Sequence, residues 1–193
     1  MALFQWSLES DLSQSHGLDL GLADYNPTVL QLVTLPNLLL SWAQVVKKDS
    51  WEAEGVLEVD EELIQQFLAS LDSHRITLSF FSGAWSQEFV QLVVSNMGSE
   101  PAQLTIIGAE TIYSPAALSS FAQSLVGLLK AMPTGEKSSL VAAKKVYFGV
   151  GGSMEDFCDK VRAEGLQVEH VREESEGVRR AVVEVKMPQN STL

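Results

Sequence analysis

The sequence predicts a doubly wound α/β fold on a mostly parallel sheet, closed by an antiparallel C-terminal strand. Short apolar runs at residues 18–23 and 102–108 have the length and composition of buried parallel strands. Segments with a helical spacing of apolar residues alternate with such runs, most clearly at residues 115–129. Apolar and charged residues alternate at 178–187, which indicates a strand with one face in water.

The first candidate site lies in the first quarter of the chain. Residues 2–12 have helical spacing, and the strand at 18–23 runs directly into Asp24-Tyr25-Asn26-Pro27. Asn26 and Pro27 are suited to begin a helix, which Pro36 should kink or interrupt. Ligands of parallel sheets lie beyond the carboxyl ends of strands, so Asp24 could accept the hydroxyls of a ribose. An Asp after a strand is equally familiar as a turn or cap residue.

A second strand carries another candidate binding segment. Residues 47–73 are interpreted as a connector or insertion with a helix at 60–71, and a strand follows at 75–81. This strand ends at Ser82-Gly83-Ala84-Trp85, where the indole could lie against an adenine ring. The other interpretation is a turn whose tryptophan packs in the core. A helix is predicted next, at residues 87–94.

Glu110 and Tyr113 follow the predicted strand at 102–108 and are expected on the same sheet edge as Asp24. A carboxylate and a phenol there could orient a nucleophilic nitrogen and take its proton. Alternatively, Glu110 caps the helix that follows, because carboxylates favour helix N-termini.

A glycine-rich turn, Gly149-Val150-Gly151-Gly152, follows a predicted strand at residues 138–146. It lacks the third glycine of a phosphate loop, and the nearby Glu155 and Asp156 would repel a phosphate. We interpret it as a tight turn with positive φ angles, close enough to the strand ends to touch a substrate. Ser153 and Asp156 predict a capping box for the next helix.

Composition and charge limit the classes of function. The 193 residues, 46% of them hydrophobic and 20% charged, predict a single globular domain over residues 1–193. Asp and Glu total 25 against 13 Lys and Arg, a net charge of −12, so direct nucleic-acid binding is not expected. The acidic surface could favour a basic partner, or it could serve solubility alone.

No disulfide, metal site or membrane association is predicted. Cys158 is the single cysteine, which suits the cytosol or nucleus. His16, His74 and His170 are far apart in the sequence and lack metal-ligand spacing. The apolar run at 29–42 is shorter than the ~20 residues that a bilayer span requires, and the N-terminus does not resemble a signal peptide.

Four segments resemble the protein-histidine N-methyltransferase family in order and approximate spacing, and the resemblance extends over nearly the whole chain. They are Asp24-Tyr25-Asn26-Pro27 with Val33-Thr34-Leu35-Pro36-Asn37, Phe81-Ser82-Gly83-Ala84-Trp85, Glu110-Thr111-Ile112-Tyr113, and Tyr147-Phe148-Gly149-Val150-Gly151-Gly152.

This resemblance implies a Rossmann-like, seven-strand methyltransferase fold that uses S-adenosyl-L-methionine. It implies cofactor binding by Asp24, Tyr25 and Asn26 and by Ser82, Gly83, Ala84 and Trp85. Glu110 and Tyr113 would be the catalytic residues facing the substrate histidine, and Phe148, Gly149, Gly151 and Gly152 would border the substrate channel. A histidine of ribosomal protein uL3 is the known substrate of fungal members, which implies a basic ribosomal protein as partner in the cytoplasm or nucleus.

The chain departs from the family at its N-terminal end. Family members have a first strand that ends in a Gly-x-Gly-type loop, and here the chain is expected to begin after it, within the first helix. Because that strand is central, its loss would remove on the order of 10 kcal/mol, comparable to the whole stability of a domain. We therefore expect either low stability or direct pairing of the flanking strands. Two other functions remain open: a non-catalytic remnant that docks a basic ribosomal or chaperone partner, and a protein-lysine methyltransferase.

Overall fold

The computed structural model describes residues 1–10, 17–48, 54–97, 103–132, 135–149, 151–174, 177 and 179–188. Helices and strands alternate, and two pairs of neighbouring strands are parallel, which confirms the predicted α/β class. The contacts group the chain into two compact units, Met1–Gly83 and Ala84–Leu193, and each is described by itself. The prediction of one domain over residues 1–193 stays a prediction.

In the described residues of the first unit there are four α-helices, one π-helical turn and two strands. In chain order these are α1 (Ala2–Glu9), β1 (Leu18–Asp24), α2 (Pro27–Val29), the π-helical turn Leu30–Thr34, α3 (Leu35–Val46), α4 (Glu61–Ser73) and β2 (Ile76–Ser82).

Strands β1 and β2 are parallel, with Leu18 opposite Ile76 and Asp24 opposite Ser82. Their carboxyl ends therefore meet at one sheet edge, where two of the predicted cofactor residues lie side by side. The strand predicted at 18–23 is confirmed.

The core of the first unit is built by helices from three parts of the sequence. The rings of Trp42 and Phe67 meet edge to face with their centroids 5.5 Å apart. Helix α4 supplies three buried side chains, so the segment interpreted as a connector contributes to this core. The buried residues are Phe4, Leu8, Leu38, Trp42, Ala43, Leu63, Phe67, Leu71 and Ile76.

The interruption predicted at Pro36 takes the form of the π-helical turn that precedes it. The N–H of Leu35 donates to the carbonyl of Leu30, five residues back instead of four. Proline has no N–H, and its ring clashes with the preceding turn of a regular helix. The wider turn relieves this crowding, and the helix continues to Val46.

The continuous helix Pro27–Val46 has 20 residues and a mean hydropathy of 1.5, which is long and apolar enough to cross a bilayer by length and composition alone. Its Leu38, Trp42 and Ala43 are buried in the core of the first unit, whereas only 28% of its most apolar stretch is buried.

The part of the second unit that the structure describes has three helices and four strands. In chain order these are α5 (Gln87–Asn96), β3 (Gln103–Ala109), α6 (Pro115–Ala131), β4 (Glu136–Lys144), α7 (Met154–Ala163), β5 (Gln167–Glu173) and β6 (Arg180–Lys186).

The sheet of the second unit has the strand order β3-β4-β6-β5. Strands β3 and β4 are parallel, and β6 is antiparallel to both β4 and β5. Three strands thus run in one direction and β6 in the other, which confirms the predicted antiparallel pair at the C-terminal end. Strand β4 begins and ends two residues before the predicted range of 138–146.

Within the described residues, β1 pairs with β2 in the first unit and β3 pairs with β4 in the second. Direct pairing of the flanking strands, one of the two outcomes expected from the sequence, stays a prediction. Low stability, the other outcome, stays a prediction.

Candidate active site

The segment that follows β3 is joined to the segment that follows β4 through Glu110. The Tyr147 hydroxyl donates to Glu110 Oε2 at 2.6 Å, and Arg180 Nε donates to Oε1 at 3.3 Å. The backbone N–H of Glu110 also donates to the Ala142 carbonyl at 2.9 Å. The carboxylate is therefore held between a phenol and a guanidinium at the carboxyl end of β3.

The backbone of Glu110 is in the left-handed region, with φ at +55°. A residue with a side chain is uncommon there, and such strained positions concentrate at functional sites. Ile112, two residues later, has no exposed surface and anchors the segment in the core of the second unit. A strained carboxylate beside a buried anchor fits a site residue better than a helix cap, because the cap of α6 is the Ser114 side chain.

Tyr147 is 8% exposed, and its phenol has an altered acidity. Burial, together with the hydrogen bond to Glu110, raises the pKa of Tyr147 to about 12. The hydroxyl also accepts from the backbone N–H of Lys144 at 3.3 Å. Tyr147 therefore keeps its proton at neutral pH and serves as a fixed donor to the carboxylate.

Tyr113 lies after Ile112 and is 56% exposed. Among the described residues no hydrogen bond is recorded for its hydroxyl, which leaves that group free to meet a substrate. In contrast, Tyr147 is buried and its hydroxyl is hydrogen-bonded to Glu110.

The glycine-rich turn lies directly against the Glu110–Tyr113 segment. Tyr147 N–H donates to the Gly152 carbonyl at 3.0 Å, and Gly151 N–H donates to the Tyr147 carbonyl at 3.2 Å. The φ angles of Gly149 and Gly151 are +81° and +67°, which confirms the predicted tight turn. A Cβ on Gly152 would lie 2.6 Å from the Ile112 carbonyl oxygen, so only glycine fits this close approach.

The second unit therefore brings together Glu110, Tyr113 and the turn that follows β4. Phe148 projects from this turn and is 92% exposed. Their proximity is a structural finding, whereas their catalytic and substrate-binding roles stay predictions.

Asp24 and its neighbours form a hydrogen-bonded turn at the end of β1. Asp24 Oδ1 accepts from Asn26 N–H at 2.8 Å, and Asn26 Oδ1 accepts from Thr28 N–H at 2.9 Å. One oxygen of Asp24 thus has the turn role that the sequence left open. Tyr25 between them is 72% exposed.

The end of β2 meets the end of β1 at Gly83. The N–H of Gly83 donates to the Asp24 carbonyl at 3.3 Å, next to the Asp24–Ser82 register pair. Asp24, Ser82 and Gly83 are therefore neighbours in the first unit. Their predicted contact with a cofactor ribose stays a prediction, as does a sheet edge shared with Glu110, which is in the other unit.

Trp85 packs within the second unit, after Ala84. Its ring meets Phe89 and Phe121 edge to face, with centroids 4.9 Å and 5.9 Å away. It is partly buried against the core, as the alternative interpretation of this turn held. Stacking of Trp85 or Ala84 against an adenine is not tested by these contacts.

Sequence reasoning gave no role to Tyr147 or Arg180, although both hold Glu110. The predicted antiparallel strand at 178–187 could have pointed to Arg180. Arg180 is the first residue of β6 and is paired with Lys144, the last residue of β4. The start of β6 is therefore at the same edge as the ends of β3 and β4. No cluster of three metal-ligating side chains occurs among the residues that the structure describes.

Comparison with known proteins identifies curated relatives but no matching family model. Histidine protein methyltransferase 1 of Saccharomyces cerevisiae is 32% identical over 188 residues, which cover 88% of this chain and 49% of that protein. Its namesake in Schizosaccharomyces pombe is 37% identical over 140 residues, 72% of this chain and 39% of that protein. A homologue in Bos taurus is 31% identical over 163 residues, with coverages of 84% and 40%. This chain spans about half the length, or less, of these curated relatives.

Among solved structures, the N-methyltransferase NodS from Bradyrhizobium japonicum aligns with a TM-score of 0.39 at 11% identity, covering 97% of this chain and 96% of that one. A fibrillarin pre-rRNA processing protein from Methanococcus jannaschii aligns with a TM-score of 0.42 at 12% identity, with coverages of 89% and 66%.

Proposed function

This chain is homologous to histidine protein methyltransferases over about half of their length, and we propose that it methylates a histidine side chain of a protein substrate. The observation that carries the proposal is the Glu110 carboxylate, held by Tyr147 at 2.6 Å, with the exposed Tyr113 three residues later in the same segment. A fixed carboxylate on the same segment as a free phenol is suited to orient an imidazole.

The residues at the end of β1 suit S-adenosyl-L-methionine. Asp24 Oδ1 is used in the turn with Asn26, and no hydrogen bond is recorded for Oδ2 within the described residues. This second oxygen can accept from ribose hydroxyls, and Tyr25, Asn26, Ser82 and Gly83 are the neighbouring residues that would hold the cofactor. Ala84 and Trp85 follow them in the chain and are proposed to contact the adenine. When bound, the cofactor supplies an electrophilic methyl group on a sulfonium.

Glu110 would act on the nitrogen of the imidazole that is not methylated. A carboxylate oxygen can accept two hydrogen bonds, so Glu110 can receive the imidazole N–H while it keeps Tyr147 and Arg180. The other ring nitrogen would then keep a free lone pair as the nucleophile, and S-adenosylhomocysteine would be the leaving group when the carbon–sulfur bond breaks. Positive charge develops on the ring during attack, the carboxylate stabilises it, and Glu110 or solvent takes the N–H proton afterwards. Tyr113 and the turn with Phe148, Gly149, Gly151 and Gly152 would hold the substrate chain.

A histidine of ribosomal protein uL3 is the proposed target, in the cytoplasm or nucleus. The net charge of −12 supports a basic protein as partner, because opposite charge accelerates encounter. This charge makes direct recognition of nucleic acid unfavourable.

The proposal is tested by methyl transfer from radiolabelled S-adenosyl-L-methionine to recombinant uL3, followed by amino-acid analysis of the product. Methylhistidine is expected with this chain and should be strongly reduced with the Glu110→Gln variant. Methyllysine would instead support the lysine alternative, and an unmodified product would refute methyl transfer to this target.

A non-catalytic docking function is the second candidate, and one observation favours it. Among the described residues of the first unit, β1 pairs with β2 in a two-stranded sheet, so the edge that carries Asp24 is narrow. Calorimetric titration with S-adenosylhomocysteine separates the two functions. Binding supports the enzyme, whereas absence of binding combined with capture of uL3 supports docking.

A further inference from the structure

A cavity of about 620 Å³ opens in the second unit where β4 ends and β6 begins. Tyr147 forms one wall, so this cavity shares a side chain with the Glu110 site. The lining residues are Lys144, Lys145, Val146, Tyr147, Phe148, Gly177 and Arg179.

The cavity is basic in a strongly acidic protein. Among the seven lining residues that the structure describes, three are cations and none is a carboxylate, although the chain has 25 acidic and 13 basic residues. The charge of Lys145 is compensated by Glu173, whose Oε2 lies 2.9 Å from the lysine Nζ. Lys144 Nζ lies over the Tyr147 ring, 5.5 Å from its centroid, and no ion pair is recorded for Lys144 or Arg179 in the described part of the chain. Two positive charges are thus left for a ligand.

An apolar surface borders these charges. Phe148 is 92% exposed and Val146 is 50% exposed. Phe148 is not on a loose loop, because the bonds from Tyr147 to Gly152 and from Gly151 to Tyr147 close the turn on both sides of it. An exposed aromatic side chain on a hydrogen-bonded turn beside a cavity is typical of a binding surface.

We propose that this cavity binds an aspartate or glutamate side chain of the protein substrate, with Lys144 and Arg179 as the cations and Phe148 against a neighbouring apolar residue. The proposal deepens the proposed function. It rests on that function in one respect only, namely that the bound side chain belongs to the methylated protein. Arg and Lys bind carboxylates by charge-assisted hydrogen bonds, and these gain strength in a partly enclosed site.

Because Tyr147 borders both the cavity and Glu110, the acidic residue of the substrate must be close to the target histidine. One phenol ring separates the cavity from Glu110, and an extended chain advances about 3.3 Å per residue. The acidic residue should therefore be within about three residues of the target histidine.

The test uses fluorescent heptapeptides with a central histidine, one phenylalanine, and one glutamate moved through the positions on either side of the histidine. Each peptide is paired with its glutamine counterpart, and binding is measured by anisotropy and methylation by radiolabel transfer. At the best position the glutamate peptide should bind about tenfold more tightly than its glutamine pair. Lys144→Gln with Arg179→Gln should abolish that difference, and the control Lys130→Gln, an exposed lysine paired with Glu164, should retain it.

The outcomes separate this proposal from the proposed function. Equal binding of every glutamate and glutamine pair overturns the acidic subsite, even where the peptides are methylated. A glutamate preference that depends on Lys144 and Arg179, without methylation of any peptide, supports the subsite and counts against the enzyme. Tighter binding of a single-stranded RNA dodecamer than of every glutamate peptide, lost in the same double variant, overturns the peptide ligand.

Discussion

The hydroxyl of Tyr147 lies 2.6 Å from the carboxylate of Glu110 and joins the segments that follow two parallel neighbouring strands. Hydrogen bonds to an ionised acceptor are short and roughly twice as strong as neutral ones. Because Glu110 also has a left-handed backbone, this bond fixes a carboxylate that the local backbone disfavours.

Replacing Tyr147 with phenylalanine should lower the free energy of unfolding by about 1–3 kcal/mol, because it keeps the ring and removes two partly buried hydrogen bonds, to Glu110 and from the Lys144 N–H. Chemical denaturation measures this loss. The control Tyr113→Phe removes a hydroxyl with no described partner and should leave stability unchanged. Equal stability of the wild type and Tyr147→Phe would show that the bond to Glu110 contributes nothing.

The same tyrosine predicts a pH dependence at high pH. The pKa of Tyr147 is raised to about 12, above the ordinary value near 10, because burial and Glu110 disfavour the phenolate. Between these values the unfolded chain has lost the proton that the folded chain retains, so stability falls as pH rises. Denaturation series from pH 9 to 11 should show this slope in the wild type and a smaller one in Tyr147→Phe. Parallel slopes would contradict the assignment.

Glu110→Gln should reduce methyl-transfer turnover about 100-fold or more, since the amide cannot stabilise the charge on the imidazole or take its proton. The affinity for S-adenosylhomocysteine should change little, because Glu110 is assigned to the substrate. Turnover and calorimetry on the same preparations give both values. Glu164→Gln, an exposed carboxylate paired with Lys130 at 3.1 Å, is the matched control. A loss confined to the affinity for S-adenosylhomocysteine would instead assign Glu110 to cofactor binding.

Local sequence chemistry predicted most of the secondary structure. Asn26 accepts from the N–H of Thr28, and the Ser153 side chain accepts from the N–H of Asp156, as the cap patterns indicated. These are interactions between residues two or three positions apart, so the sequence determines them without reference to the fold. The apolar runs predicted the strands in the same way, because each run is also a local feature of the sequence.

The contacts around Glu110 could not be predicted in this way. Tyr147 and Arg180 are 37 and 70 residues away in sequence and reach Glu110 only because β4 lies between β3 and β6. The positive φ of Glu110 was also beyond prediction, because residues with a side chain rarely adopt it without tertiary contacts. The sequence therefore indicated the catalytic candidate but not the groups that hold it.

Gly152→Ala should destabilise the protein by about 1–3 kcal/mol, because the added Cβ would lie 2.6 Å from the Ile112 carbonyl oxygen. The turn must move away from Glu110, so turnover should fall as well. Gly135→Ala is the control, since a Cβ there meets no atom within 4 Å. Urea denaturation of the two variants measures the difference, and similar stabilities would show that the turn does not lie against Ile112.

Cys158 should be unreactive in the folded protein. The side chain has no exposed surface, and burial raises the pKa of its thiol to about 11. Thiolate is the reactive form, so labelling by Ellman's reagent at pH 8 should require unfolding. As the single cysteine, it reports opening of the second unit without interference. Rapid stoichiometric labelling in native buffer would contradict the burial of Cys158.

Asp24→Asn separates the two roles of Asp24. The amide oxygen can still accept from Asn26 N–H, as Asp24 Oδ1 does at 2.8 Å, so the turn and the stability of the first unit should persist. The second carboxylate oxygen is replaced by a donor, which cannot accept a ribose hydroxyl. We expect calorimetry to show a 10- to 100-fold loss of affinity for S-adenosylhomocysteine, roughly the value of a hydrogen bond to a charged group.

Asp19→Asn is the matched control for this variant, because Asp19 is exposed on the same strand, five residues before Asp24. It removes the same charge from the first unit without touching the end of β1, so cofactor affinity should be retained. Equal losses in the two variants would indicate a general effect of charge. Unchanged affinity in Asp24→Asn would leave Asp24 with its turn role alone, because the hydrogen bond to Asn26 is the only function that the amide preserves.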